Sequence, residues 1–263
     1  MKCKLGALGV LFAAGLATAA PVAEAADMYQ KYDPLVSAKD APLPGIWSWA
    51  GLYVGANLGG ALNGDGGTAN LVRTTPPAGQ IGTVSEQEAE GIFAGAQIGH
   101  NWQRNRIVFG IEADIQTSDI DDSVSGSYNL NPGFVGGSSI EVDFFATIRA
   151  RLGYAWDKYL IYATGGFAVA DAQYRLVGTN TANGNTVALQ DDDVRHGYVL
   201  GMGAEIAVNG EWTVKIEYQY LDFDEEFLSG QSFTPGGVPT GIFYKGESEL
   251  DFHTVRVGVN RKF

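Results

Sequence analysis

The sequence predicts an all-β chain folded as an eight-stranded antiparallel transmembrane β-barrel with short periplasmic turns and four long extracellular loops. Three observations predict it. An export signal opens the chain, and apolar and polar residues alternate in eight later segments. The connections between those segments alternate between short and long, as in outer-membrane barrels.

The export signal runs in the expected order. Met1-Lys2-Cys3-Lys4 is a positive start, Leu5 to Ala20 carries no charge, and Ala23-Glu24-Ala25 supplies a small-x-small cleavage pattern. The apolar run is shorter than the roughly 20 residues of a membrane-spanning helix. We therefore read 1–25 as a signal peptide, 26–48 as a periplasmic extension bearing Pro34, Pro42 and Pro44, and 49–263 as the barrel. Cys3, the only cysteine, lies in the signal, so the processed chain has no disulfide framework.

The eight segments are Trp49–Gly60, Gly91–Trp102, Ile107–Gln116, Phe144–Trp156, Lys158–Ala170, His196–Val208, Trp212–Phe223 and Thr254–Phe263. The fourth is the clearest. Phe144, Ala146, Ile148, Ala150, Leu152, Tyr154 and Trp156 share one face, while Thr147, Arg149, Arg151 and Gly153 share the other. A helix would set Arg149 and Arg151 about 200° apart, whereas a strand puts both on one side. The third and seventh segments repeat the pattern, with Glu112 and Asp114, and with Lys215 and Glu217, on their polar faces. Glycine is 36 of 263 residues, about twice the ordinary share, and suits close-packed sheets and tight turns better than helices.

Short turns fall at Gln103-Arg104-Asn105, Asp157-Lys158 and Asn209-Gly210, the last being a type I′ hairpin dipeptide. The other gaps, 61–90, 117–143, 171–195 and 224–251, are the predicted long loops. Trp49, Trp102, Trp156, Tyr159, Trp212 and Phe263 gather at the short-turn rim as an interfacial aromatic girdle.

Charge separates along the same lines. The formal net charge of −13 argues against nucleic acid as a partner. The four loop windows hold 19 acidic and 4 basic residues, including Asp119-x-Asp121-Asp122 and Asp191-Asp192-Asp193. Solvation explains them, and cation capture is the functional alternative. Eight strands leave an interior just wide enough for side chains to fill. Arg149, Arg151, Lys215 and Arg256 are then expected to interlock with Glu112, Asp114, Glu205 and Glu217 as a structural charge network in the lumen.

At these segments the chain resembles the outer-membrane immunogenic protein family of Gram-negative bacteria, within the opacity-type and OmpA-type barrels. The resemblance rests on Trp49-Ala50-Gly51-Leu52-Tyr53-Val54-Gly55-Ala56-Asn57-Leu58-Gly59, on Thr147 to Ala155, and on Tyr162 to Ala168. Gly203-Ala204-Glu205, Trp212 and Tyr218-Gln219-Tyr220 extend it. It implies residence in the outer membrane among lipid and lipopolysaccharide. It also implies that the terminal Phe263 is an assembly signal read by the barrel-insertion machinery.

Three functions follow in order. The first is a structural surface barrel with a filled lumen. The second is a small diffusion porin, or loops that bind cations, haemin or host surfaces; the sequence does not name the loop partner. The third is an enzyme: some eight-stranded relatives deacylate lipid A with a His-x-Ser pair, but His253-Thr254-Val255 places valine where that serine belongs. No phosphate-binding loop, dinucleotide motif or Cys/His metal spacing occurs, so no enzyme activity, cofactor or metal is expected.

Overall fold

Strands form wherever the period-2 pattern runs, and none of the described residues is helical. The computed structural model describes residues 47–62, 68–86 and 90–263. These belong to the compact unit Gly45–Phe263. The signal segment and the leader before Trp47 lie outside the described residues.

Ten strands are present: β1 (Gly51–Leu62), β2 (Thr68–Arg73), β3 (Gly79–Glu86), β4 (Glu90–Arg104), β5 (Ile107–Tyr128), β6 (Asn131–Trp156), β7 (Tyr159–Asn180), β8 (Thr186–Ala207), β9 (Trp212–Phe233) and β10 (Pro239–Lys262). All pairings are antiparallel. β1 and β4 to β10 each pair with the next, and β1 closes onto β10 from Tyr53↔Lys262 to Leu62↔His253. The two extra strands arise because the window 61–90 is not merely a loop. Its β2–β3 hairpin pairs with β10 beyond β1, through Tyr244↔Arg73 to Glu247↔Asn70.

The other three predicted loops are also largely strand. β5 to β10 run 22 to 26 residues each, at least twice the roughly 9–11 a tilted strand needs to cross a bilayer. The reason lies in which face is apolar. On β7, the outward side chains are Ile161, Ala163, Phe167 and Val169 up to Asp171, then Gln173 and Arg175. Inward, Tyr162 and Thr164 give way to Ala168, Ala170, Ala172, Tyr174 and Leu176. The alternation keeps its period and reverses its sense, so one continuous strand presents apolar residues to lipid below and to a core above. β-Bulges on β5–β6 between Thr117 and Ile120 and on β6–β7 between Val142 and Phe144 fall at the same height.

That upper core contains Leu71 and Ile81 of the hairpin, Tyr128, Phe134, Tyr174, Leu176, Leu189, Leu228 and Tyr244. The hairpin is clasped to the β5–β6 turn by Asn129, whose N–H donates to the Thr83 carbonyl and whose Oδ1 accepts from the Thr83 N–H. Burial pushes the Tyr128 and Tyr244 phenols above the usual range. The sheets approach closely where glycine permits: a Cβ at Gly246 would sit 3.0 Å from Leu176 Cδ2 and 3.2 Å from Leu189 Cδ1.

The turns differ from expectation at two places, the first being that β4 runs on through Arg104, so that Asn105 and Arg106 make that turn. Neither Asn209 nor Gly210 has the positive φ that a type I′ turn requires. The connection spans Val208–Glu211, and Asn209 Oδ1 accepts from the N–H groups of Glu211 and Trp212 instead. Positive φ occurs at Asn105 and Asp157, in the other two short turns.

Leu176→Ala is expected to loosen the upper hairpins by about 2–5 kcal/mol, the usual cost of emptying a buried leucine site. Limited proteolysis of the refolded protein should then cut faster within 171–195 and 224–251. The membrane band should remain folded, read as unchanged heat-modifiable mobility on a detergent gel.

Candidate functional site

The inner wall of the lower half carries four carboxylates and four cations, all buried: Glu112 and Asp114 on β5, Arg149 and Arg151 on β6, Glu205 on β8, Lys215 and Glu217 on β9, and Arg256 on β10. Alternation places them inward, and antiparallel register stacks them at one height. Glu112 lies directly opposite Arg149, and Glu217 directly opposite Arg256.

Arg149 is the hub. Its Nη2 donates to Glu112 Oε1 at 2.5 Å and to Asp114 Oδ2 at 2.6 Å, and its Nη1 reaches across to Glu217 Oε1 at 2.6 Å. Arg256 Nη2 meets the same Glu217 oxygen at 2.6 Å and Asp114 at 3.2 Å. Lys215 Nζ donates to both Glu112 oxygens, at 2.8 and 3.0 Å. A buried charge left alone is costly, and here each has at least one opposite partner.

Arg151 departs from the cross-strand pattern. Its opposite residue on β5 is Gly110, and it reaches past β7 to pair with Glu205, which also accepts from Thr213 and from Asn260 Nδ2 at 2.9 Å. Its guanidinium lies 3.7 Å from the centroid of the Tyr162 ring. Two tyrosines complete the layer: Tyr53 Oη donates to Glu112 at 2.8 Å and Tyr162 Oη to Glu217 at 2.5 Å. Each lies over a glycine on the neighbouring strand. A Cβ at Gly99 would strike the Tyr53 phenol, and one at Gly203 would strike the Tyr162 ring.

What covers this layer on either side is not legible in the sequence. Above it, Phe93, Phe145, Phe223 and Phe252 fill the lumen, with Phe145 edge-on to Phe93 and Phe252 at 5.2 and 5.9 Å. Their inward phase was readable, but the loop assignment hid that the apolar layer continues upward. Below it, Trp49 is not in the girdle. It is 3% exposed and packs inside the mouth against Val108, Ala155, Leu160 and Tyr162, with Trp47 edge-on at 5.8 Å. The Trp49 backbone N–H donates to Gln103 Oε1 at 2.7 Å, and Lys262 Nζ donates to the Ser48 carbonyl. Trp102, Trp156, Tyr159, Trp212 and Phe263 face outward and are exposed.

Phe263 ends the chain just after β10, its N–H donating to the Leu52 carbonyl at 2.9 Å and Arg261 over its ring. His253 faces outward on β10, with Nδ1 2.6 Å from Tyr218 Oη and its ring stacked on Tyr218. No three His, Cys, Asp or Glu residues among those described converge as a metal site. The acidic residues instead spread along the outer surface of the upper strands. Glu90, Asp121, Glu141, Gln173 and Asp192 stand directly opposite one another in one row across β4 to β8.

A paired lumen inside an apolar outer band is the architecture of a membrane barrel, and comparison with known proteins decides its kin. Residues 10–263 match the family model described as outer membrane protein beta-barrel domain. The chain belongs to that family. It is 34% identical over 240 residues to the 31 kDa outer-membrane immunogenic protein of Brucella melitensis biotype 1, covering 88% of this chain and 92% of the relative. It is 29% identical to the 22 kDa outer membrane protein of Rhizobium leguminosarum bv. viciae, over 86% of this chain and 83% of the relative. The crystal structure of OprG from Pseudomonas aeruginosa superposes with a TM-score of 0.52 at 13% identity, over 81% of this chain and 96% of OprG. That likeness establishes the fold. The chain is thus an outer-membrane barrel protein of the immunogenic-protein family, resident in the outer membrane of a Gram-negative bacterium.

For this family member the network makes a sharp energetic statement. Arg149→Ala takes one cation from each of three buried carboxylates, and Glu112→Ala leaves Lys215 with only Glu217 at 3.8 Å, so each should destabilise the refolded barrel, by up to about 3–5 kcal/mol. The double variant should fall short of the sum of the two, because the partners are removed together. Urea unfolding of the four proteins in detergent micelles measures this; strict additivity would show that the pair is uncoupled.

Proposed function

We propose that the protein is a structural surface component of the outer membrane: an eight-stranded ring whose lumen is closed by side chains and whose long acidic hairpins stand outside the cell. The observation that carries this reading is the lumen charge layer, which pairs four carboxylates with four cations and leaves no net charge. Phe93, Phe145 and Phe252 above it and Trp49 below it support the same reading, since each fills lumen space a diffusing solute would need. The orientation follows the general rule that short turns lie in the periplasm and long connections outside. Lipid and lipopolysaccharide surround the barrel in this reading. The acidic row on the upper strands, at the height where the outward apolar band ends, suits a headgroup zone rich in divalent cations.

A second element concerns assembly. Phe263 stands exposed at the short-turn rim, where the barrel-insertion machinery would engage it during biogenesis. It contributes one backbone hydrogen bond and a cation–π contact to the finished barrel. Deleting Phe263 should therefore lower the yield in the outer membrane and raise periplasmic aggregate in cells. The same variant refolded in detergent should match the intact chain in thermal stability.

The main reading is tested by conductance. In a planar bilayer the purified, refolded protein should give no large steady channels. Arg149→Ala, which opens a space at the hub, should introduce leak events. Large steady channels in the unaltered protein would overturn the closed-lumen reading and install the small-porin one.

A further inference from the structure

The inner wall has a polar step between the charge layer and the phenylalanines. Asp114, Arg149, Glu217 and Arg256 share one height, since they pair with one another across the lumen. One inward position further up their strands stand Gln116 on β5, Thr147 on β6, Gln219 on β9 and Thr254 on β10, all buried. The next inward positions include Phe145 and Phe252, which close the step from above. Each of the four polar residues faces a small one on a neighbouring strand. Gly95 lies opposite Gln116, Ala168 opposite Thr147, Gly201 opposite Gln219 and Ala61 opposite Thr254. The space inside is thus taken by polar ends and not by apolar bulk.

The layer below fixes how the two glutamines point. Gln219 Nε2 donates to Glu217 Oε1 at 2.6 Å and Gln116 Nε2 to Asp114 Oδ1 at 3.4 Å. Reversing either amide would set its oxygen against a carboxylate. The two Oε1 atoms are left with no hydrogen-bond partner among the described residues, and so is Thr254 Oγ1. All three residues are 0% exposed, so bulk solvent does not reach them. Thr147 differs, because its hydroxyl accepts from Arg149 Nε at 2.9 Å. Buried polar atoms are ordinarily bonded to protein or to ordered water, since an unpaired one keeps the full penalty of its desolvation.

We propose that this step is an internal hydration site, which holds water between the charge layer and the phenylalanines on Gln116 Oε1, Gln219 Oε1 and Thr254 Oγ1. Water has the valence these atoms need. Its O–H groups donate to the amide oxygens, and its oxygen accepts from the Thr254 hydroxyl; a buried water typically makes about three hydrogen bonds. A monovalent cation is the poorer occupant. The layer beneath already balances four carboxylates against four cations, so no charge remains to hold an ion, and a cation offers nothing to the Thr254 hydrogen. The water serves the uncharged groups, while each charge keeps its protein partner. The inference rests on the closed-lumen reading, and the two fail separately. Large steady channels would end that reading, whereas a dry site in a barrel that does not conduct would end only this one.

The test uses the refolded full barrel in detergent micelles, with Thr254→Val and Thr254→Ser as variants. Valine keeps the shape of threonine without its hydroxyl, and no hydrogen bond to a described residue is lost with it. Oxygen-17 magnetic relaxation dispersion reads long-lived water and ignores exchanging protein hydrogens. We expect a long-lived water signal in the unaltered barrel, smaller by about one molecule in Thr254→Val and retained in Thr254→Ser. The urea midpoint should fall in Thr254→Val, because the hydroxyl that holds the water is gone. In a dry site the same change would raise the midpoint, since it would remove an unpaired buried hydroxyl. Replacing sodium by choline at fixed ionic strength should leave the midpoint unchanged. A raised midpoint in Thr254→Val, no long-lived water in the unaltered barrel, a signal that the valine does not reduce, or a sodium-dependent midpoint would each overturn the proposal.

Discussion

Everything in the lower half of this barrel follows from a charge placed in a space too narrow for water to solvate it. Removing an ion from water costs several kcal/mol even after relaxation. The inner wall must therefore supply its own counter-ions, and it does so with a layer of four acids and four bases, three of the acids bridged through Arg149. Arginine is apt at the hub because its planar fork can meet several carboxylates at once. Lysine at 215 works differently, as a point charge between the two oxygens of Glu112.

The same narrowness explains the glycines. Long inward side chains need room, and that room is taken from the opposing strand. Gly99 and Gly203 receive the tyrosine rings that lie flat against the wall and hydrogen-bond the carboxylates. Gly110 does something else. It offers Arg151 no cross-strand partner on β5, and that side chain reaches over Tyr162 of β7 to Glu205, a tie that links β6 to β8. Composition alone reported an excess of glycine; its use is to let charge and aromatic bulk share one small cross-section.

A second constraint acts on the outside. Where the strands leave the bilayer, the outer face must turn from apolar to polar, and the inner face can hold carbon instead of charge. β5 to β10 make that reversal without breaking, so the strands continue into the hairpins and carry a second core of Leu71, Leu176, Leu189 and Tyr244. The price of the extension is at its seams, where β8 and β9 part and only Thr186↔Phe233 rejoins them.

The sequence by itself determined the strands of the membrane band, their inward and outward faces, the short turns and the eight lumen charges, because strand alternation is a local property readable residue by residue. It placed the family as well, through segments such as Thr147 to Ala155. It did not reveal that the four long connections are mostly strand, since a pattern whose apolar face changes sides looks like the end of a strand when read along one chain. Nor did it reveal that Trp49 turns into the mouth while Trp102 and Trp156 face outward; all three are aromatic residues at a strand end. Those outcomes depend on which surface lies opposite. Arg151's partner, the Phe93–Phe145–Phe252 layer and the break in the β8–β9 ladder are likewise relations between segments far apart in the chain, and only closure of the ring sets them.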